Sequence, residues 1–278
     1  MIRTKKPGPR TVLVTGAASG LGLEISKQFL GKGDRVILTD LHEDIPPAVQ
    51  SLAGDWTYRT LNVTSDEDWQ AAAADVDSLD ILVSNAGIAI GGRITETKMD
   101  TWQKALDINV LGSVRGLRAF VPKIGKGGRI VLTASAAGLV HAPAMATYNA
   151  TKAATVALGE TVDAELRHRK ISTTVICPQF FKSGLADSLI GDDDAMDAVA
   201  RVLLSRTWLT SEIIARRAVK GIEARRTVVT PDGFATFSWY SKRFTRVPYL
   251  FLVRTIGWAV AKQVRRSEGH AKVRNGTK

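Results

Sequence analysis

At 278 residues, 45% hydrophobic and 23% charged, the chain has the composition of a folded globular protein and the length of one large α/β domain, which excludes bulk disorder and fibrous architectures. Its single cysteine, Cys177, excludes an internal disulfide and a metal site built on thiolates, so no metal centre is expected and a reducing, cytoplasmic location fits. The formal charge of +11 is uneven: residues 201–278 hold 17 Lys+Arg against 4 Asp+Glu, whereas residues 1–200 hold 21 against 23.

In chain order, Met1–Arg10 is basic and runs into a strand with no apolar stretch of signal-peptide length, which argues against secretion. Apolar, β-branched runs at Thr11–Thr15, Arg35–Thr39, Trp56–Thr60, Asp80–Ser84, Arg129–Thr133, Ile171–Ile176 and Thr227–Thr230 predict seven strands. Helical periodicity falls between them, at about 20–31, 46–53, 65–76, 97–123, 147–169 and 195–224. Strands that are apolar throughout and alternate with helices predict an α/β, doubly wound parallel sheet covered on both faces, in a single domain. After the last strand, Pro231–Ala261 is rich in Phe, Trp and Tyr, and Glu268–Lys278 is a polar terminus. In a doubly wound sheet ligands bind beyond the carboxyl ends of the strands, so chemistry is expected just after each one.

The first strand is followed by Thr15-Gly16-Ala17-Ala18-Ser19-Gly20-Leu21-Gly22, which opens into a helix. Glycines there permit a tight turn and close backbone approach, and the helix N-terminus attracts a pyrophosphate. Asp40 ends the second strand, where a carboxylate can accept from both ribose hydroxyls of an adenosine and would repel a 2′-phosphate. Neither Ser19 nor Leu41 offers a cation to neutralise that phosphate, so NAD is expected over NADP.

Tyr148 and Lys152 lie four apart near the start of an alanine-rich helix and emerge from one face. A cation one turn away is expected to lower the tyrosine pKa from near ~10 and fit it for acid/base work. Ser135, just past a strand, can orient the reacting oxygen, and Asn109, in a helical segment, can hold a water between Lys152 and solvent. Asn85-Ala86-Gly87 follows another strand with small residues that admit a cofactor.

These motifs resemble the short-chain dehydrogenase/reductase family, whose Gly-rich turn, Asn-Ala-Gly segment, serine, Tyr-x-x-x-Lys pair and upstream asparagine correspond to Thr15–Gly22, Ser84–Gly87, Ser135, Tyr148–Lys152 and Asn109, over roughly residues 10–232. The resemblance implies a Rossmann-type domain that transfers a hydride between NAD and an alcohol or carbonyl. Tyr148 is then the acid/base, Lys152 its tuner and a ligand of the nicotinamide ribose, Ser135 the substrate orienter and Asn109 the relay. It also implies a homodimer or homotetramer, and cofactor contacts from Gly16, Ser19, Gly20, Leu21, Gly22, Asp40, Asn62, Val63, Asn85, Ala86, Gly87 and Pro178. Three departures stand out: Ser84 where the family has Asn, Asn62-Val63 where it has Asp-Val, and Pro178-Gln179 where it has Pro-Gly. Residues 1–232 are therefore expected to form the dinucleotide-binding and catalytic domain and 233–278 a basic, aromatic-rich extension.

On the substrate side, Ile88, Ala89, Leu139, Met145, Phe180 and Phe181, with Leu185 and Leu189 in a lid, predict an apolar pocket for a lipophilic secondary alcohol or ketone. A cofactor-binding regulator without turnover remains an alternative, motivated by Gln179. For the extension three arrangements stay open: packing on protein, which is preferred, lying on an anionic membrane surface, and binding nucleic acid. The last has no zinc, helix-turn-helix or RNA-recognition signature behind it, and Val247–Ala261 is too short and interrupted to span a bilayer.

Overall fold

The computed structural model describes residues 8–179, 181, 189–193 and 207–275. Its central sheet has seven parallel strands: β1 (Thr11–Thr15), β2 (Arg35–Asp40), β3 (Trp56–Thr60), β4 (Leu79–Ser84), β6 (Ile124–Thr133), β7 (Ser172–Ile176) and β9 (Val228–Val229). They are ordered β3-β2-β1-β4-β6-β7-β9, the doubly wound Rossmann-type arrangement. Two short strands, β5 (Ala89–Gly91) and β8 (Leu189–Gly191), pair parallel as a separate ribbon that sequence periodicity did not reveal.

Alternate residues of each strand feed opposite cores, which is why the strands read as unbroken apolar runs. Val12, Val14, Ile81, Val83 and Val131 pack with helices α1 (Gly20–Leu30) and α8 (Ser211–Glu223) on one face. Leu13, Leu82, Ile130 and Leu132 pack on the other with Trp69 of α3 (Asp66–Ala74) and Phe120 of α5 (Gly112–Phe120). The short helix α2 is Pro47–Gln50.

The periodic stretch 97–123 is one helical run with a change of pitch inside it. Helix α4 (Met99–Leu106) passes through a π-helical turn, Asp107–Leu111, into α5 and then into a 3-10 turn at Val121–Lys123. Helix α6 (Ala137–Val140) precedes the long helix α7 (Ala146–Leu166). Of the expected helix at 195–224, the part from Ser211 is present as α8 and residues 195–206 lie outside the described set.

The extension is helical: α9 (Gly233–Phe244) and α10 (Arg246–Asn275). It packs on α6 and on the segment that joins α6 to α7. Trp239 enters a small core with Ala134, Leu139, Val175 and Cys177. The Lys242 ammonium donates to the Leu139 carbonyl at 2.6 Å, and the Tyr249 hydroxyl to the Val140 carbonyl at 2.7 Å. No helix among the described residues is long and apolar enough to cross a membrane.

Candidate active site

The sheet order reverses between β1 and β4, so the loops that leave these strands diverge and open a crevice at their carboxyl ends. One wall is the Gly-rich turn. Gly16 has φ of +62°, and a Cβ there would lie 2.9 Å from the Ala86 Cα. A Cβ on Gly22 would lie 2.1 Å from the Gly16 carbonyl oxygen. The turn can close only with glycine at both places.

Asn85 staples the crevice. Its amide donates to the carbonyls of Thr15 at 3.0 Å and Gly16 at 3.2 Å, and its side-chain oxygen accepts from Thr133 at 3.2 Å. The Thr15 hydroxyl accepts the N–H groups of Asn85 and Ala86, both at 3.0 Å. Ser84, in the place of the family asparagine, bonds the Ser113 hydroxyl at 2.9 Å and so ties β4 to α5.

The N-terminus of α1 fits a dinucleotide. Ser19, its N-cap residue, makes no side-chain cap, and no acidic residue stands in the first turn. By contrast, Ser65, Thr210 and Asp232 each cap their helices with a side-chain oxygen. The α1 N–H groups thus keep their capacity for an external anion.

Asp40, at the tip of β2, has both carboxylate oxygens engaged by backbone: Ala18 N–H at 2.9 Å and Leu41 N–H at 2.8 Å. This locks the carboxylate beside the Gly-rich turn, with lone pairs to spare. Asn62 accepts from the Thr64 N–H at 3.0 Å and hydroxyl at 2.8 Å, a local turn that leaves its amide hydrogens uncommitted and places Val63 beside Gly112.

The opposite wall is α7. Tyr148 and Lys152 emerge from one face as the spacing requires, with the Lys152 ammonium 5.7 Å from the Tyr148 ring centre and both residues buried. Lys152 donates to the Thr133 carbonyl at 2.9 Å. Helix α6 can press against α7 at this point because Gly138 has no Cβ, which would meet the Lys152 carbonyl at 2.6 Å. Between Ser135 and Tyr148 two non-glycine residues, His141 and Ala144, adopt positive φ, the backbone strain that functional loops concentrate.

Burial pushes the Tyr148 hydroxyl up to about 12, although its hydrogen bond with Ser135 works the other way. Burial pushes the Lys152 ammonium down to about 8. This runs opposite to the expectation of a tyrosine lowered by its lysine: in the protein by itself, loss of water outweighs the hydrogen bond with Ser135. The Ser135 hydroxyl donates to the Pro178 carbonyl at 3.3 Å and accepts from Ala137 N–H at 3.2 Å, which places the loops after β6 and β7 side by side.

Asn109 sits in the π-helical turn. Its side chain accepts the Ile88 N–H at 2.9 Å and donates to the Ile88 carbonyl at 3.1 Å and to the Thr151 hydroxyl at 3.3 Å. Its backbone carbonyl accepts the Thr155 hydroxyl at 3.2 Å. The side chain therefore braces the backbone that leaves Gly87, where a Cβ would lie 2.9 Å from the Asn109 side-chain oxygen and 3.3 Å from the Lys152 ammonium. Thr151 and Thr155 were missed in the sequence, although their spacing from Tyr148 places them on its side of α7.

Met145 is half-buried at the start of α7 and bridges Gly92. Phe181, expected in the pocket wall, is buried in the core with Ile176, Leu209 and Ile214. Phe180, Lys182 and Leu185 lie outside the described residues, and Leu189 contributes backbone to β8. Gln179 donates its N–H to the buried Asp232 carboxylate at 3.2 Å, the same group that caps α9 through Ala235 N–H at 2.7 Å. Neither Asp232 nor its link to the loop after β7 was read from the sequence.

The sequence profile of the short chain dehydrogenase family matches residues 10–194. The chain is 30% identical over 209 residues to the 3-oxoacyl-[acyl-carrier-protein] reductase FabG of Rickettsia bellii, a match over 74% of this chain and 86% of that protein. It is 32% identical over 196 residues to dehydrogenase/reductase SDR family member 7B of Mus musculus, covering 66% of this chain and 61% of the mouse protein. A short chain dehydrogenase/reductase from Burkholderia phymatum, solved in complex with NAD, has the same fold, with a TM-score of 0.78 and 24% identity over 86% of this chain and 95% of that one. The profile runs from the first strand past Tyr148 and Lys152, and on that ground the chain belongs to the short-chain dehydrogenase/reductase family of oxidoreductases.

Proposed function

We propose that this protein is an NAD-dependent oxidoreductase that interconverts a lipophilic secondary alcohol and its ketone, with Tyr148 as acid/base. The observation that carries the reading is the meeting of Tyr148, Lys152 and Ser135 beside a glycine turn whose helix start is left uncapped. In this reading Gly16, Ser19, Gly20, Leu21 and Gly22 hold the pyrophosphate and Asp40 the adenosine ribose. Asn62 and Val63 flank the adenine, and Asn85, Ala86, Gly87, Lys152 and Pro178 meet the nicotinamide half. Bound nicotinamide supplies or accepts the hydride.

The protein's own part is proton and charge management. For ketone reduction, the Tyr148 hydroxyl gives its proton to the carbonyl oxygen while Ser135 turns from Pro178 to donate to the same oxygen. Charged Lys152 balances the phenolate left behind. For alcohol oxidation the same proton returns to Tyr148. Asn109 holds the Ile88 backbone in place and, through Thr155, the packing of its own turn on α7. Met145, with Phe180 and Leu185, is assigned to an apolar substrate side. The bacterial relative is by name a reductase of 3-oxoacyl groups on acyl-carrier protein, which supports carbonyl reduction as the reaction class. A cytoplasmic homodimer or homotetramer completes the proposal.

The test is a screen of steroid, terpenoid and long-chain secondary alcohols with NAD, followed by Tyr148→Phe on whichever substrate turns over. A fall in kcat/KM of ~10²–10⁴ is expected, the usual worth of a general acid/base. Activity within a few-fold of the unmodified enzyme would refute the mechanism. A second reading, a cofactor-binding regulator, is motivated by the Gln179 side chain standing where the family has glycine, in the loop after β7. Saturable NADH binding with no turnover across the panel would select it.

A further inference from the structure

The two helices of the extension present two apolar faces, and only one is used. The inner face of α10 carries Tyr249 against Val140 and Gly257 against Pro143. The outer face of α9 and α10 carries Phe234, Phe237, Phe244, Val247, Phe251 and Trp258, at three-, four- and seven-residue spacings that align them along each helix. These side chains stand largely in the open: Phe237 is 71% exposed, Phe244 73%, Phe251 73% and Trp258 64%. A soluble surface tolerates scattered apolar residues but rarely a continuous aromatic ridge of this kind.

Charge selects the occupant. From Gly233 to Lys262 the chain has no Asp or Glu, while Lys242, Arg243, Arg246, Arg254 and Lys262 flank the aromatics. Lys242 is spent on Leu139 and His141, and Lys262 lies over the Trp258 ring at 4.9 Å, which leaves three exposed arginines beside the ridge. A second copy meeting this face about a two-fold axis would set arginines against arginines with no carboxylate from the segment between them. An anionic lipid surface offers what the face lacks: a hydrocarbon boundary for Phe and Trp, and phosphate for Arg.

We propose that the outer face of α9–α10 docks the protein peripherally on an anionic phospholipid bilayer. The same helices hold the segment between Ser135 and Tyr148 by their inner faces, so docking sets the substrate-side loop of the enzyme beside the membrane. A lipophilic alcohol or ketone dissolved in the bilayer then has a short path to the site. The docking itself does not depend on which substrate is turned over.

The full-length protein, mixed with vesicles of phosphatidylcholine alone or of phosphatidylcholine with phosphatidylglycerol, tests this by cosedimentation. Binding at least ~10-fold stronger to the anionic vesicles is expected, falling as NaCl is raised from about 0.1 to 0.5 M. Two variants separate the contributions: Phe244→Ser/Phe251→Ser/Trp258→Ser, and Arg243→Gln/Arg246→Gln/Arg254→Gln. Each should lose most of the binding while its far-UV spectrum and thermal transition stay unchanged, because no altered side chain is buried. Equal recovery of the unmodified protein with and without anionic lipid overturns the proposal whatever the variants do. Retained binding in both variants overturns it as well. A drop in sedimenting mass of the serine variant without lipid, with no vesicle binding by the unmodified protein, would show the ridge to be a subunit interface instead.

Discussion

In the proposed mechanism Lys152 acts as a cation while buried, a role that its lowered pKa would confine to part of the pH range. Burial holds its ammonium at about 8 and the Tyr148 hydroxyl at about 12. A group with a depressed basic pKa is charged below that value and neutral above it. Ketone reduction needs Tyr148 protonated and Lys152 charged, so kcat/KM in that direction should be flat through neutral pH and fall as pH passes about 8. A reductive profile still flat at pH values well above that point would show that Lys152 charge is not needed for proton delivery.

Asp40 invites a second prediction at the same scale. Its carboxylate is pinned beside the Gly-rich turn by the N–H groups of Ala18 and Leu41. A 2′-phosphate there would meet a like charge at close range with no cation from Ser19 or Leu41 to offset it. NAD should therefore be favoured over NADP by at least ~100-fold in catalytic efficiency, about 2.8 kcal/mol at ~1.4 kcal/mol per tenfold. Asp40→Asn keeps an acceptor for Ala18 N–H, and combined with Leu41→Arg it should shrink or reverse the preference. Equal efficiencies in the unmodified enzyme would mean that the carboxylate serves only its backbone partners.

Among the elements, α1 depends on the absence of one atom. A methyl group at Gly22 would sit 2.1 Å from the Gly16 carbonyl, so Gly22→Ala must push the helix start away from the turn. Overpacking of this kind costs ~1–3 kcal/mol, and here it also moves the N–H groups proposed to hold the pyrophosphate. NADH affinity, followed by fluorescence titration, should fall by ~10-fold or more, while normal affinity would place the pyrophosphate elsewhere. The helical run from Met99 to Phe120 holds a different lesson. Its periodicity was plain, but the π-helical turn that lets Asn109 reach both polar groups of Ile88 was not, because a one-residue widening barely disturbs an apolar pattern. The ribbon of β5 and β8 was equally hidden, being three residues long on each side and paired across about a hundred residues of chain.

Across the whole molecule, one arginine joins segments far apart in the chain. Arg10, entering β1, bonds Asp34 at 2.6 Å and Glu223 at 2.8 Å, and Arg129 of β6 reaches the same Glu223 at 3.0 Å. Removing Arg10 leaves the buried Asp34 carboxylate without its cation, so Arg10→Ala should cost ~1–3 kcal/mol, discounted for the partial exposure of the pair. Burial would raise the Glu223 carboxyl, but the hydrogen bond from Arg10 and the charges of Arg129 and Arg10 hold it below the usual range. Stability from Glu223 is thus complete above the unfolded carboxylate pKa near ~4.3 and is lost as pH falls below it. Thermal melts of Arg10→Ala should show a lower midpoint at pH 7 and a shallower decline on acidification. An unchanged midpoint would mean that the pair contributes nothing net.

The seven main strands, their burial on both faces, the glycine turn and the Tyr148–Lys152 pair could all be read before any coordinates. Each is a local matter, written as an apolar run, a residue type at a turn or a spacing along one helix. Tertiary structure alone decided the rest. The Tyr148 pKa moved opposite to the local expectation because burial is a property of everything packed around a side chain, not of its neighbours in sequence. Asp232 became the joint between the loop after β7 and helix α9, and the extension gained a docked face and a bare one, through contacts spanning fifty to a hundred residues. No pattern within a helix or strand encodes such a contact, because which surfaces meet depends on the order in which the sheet is wound.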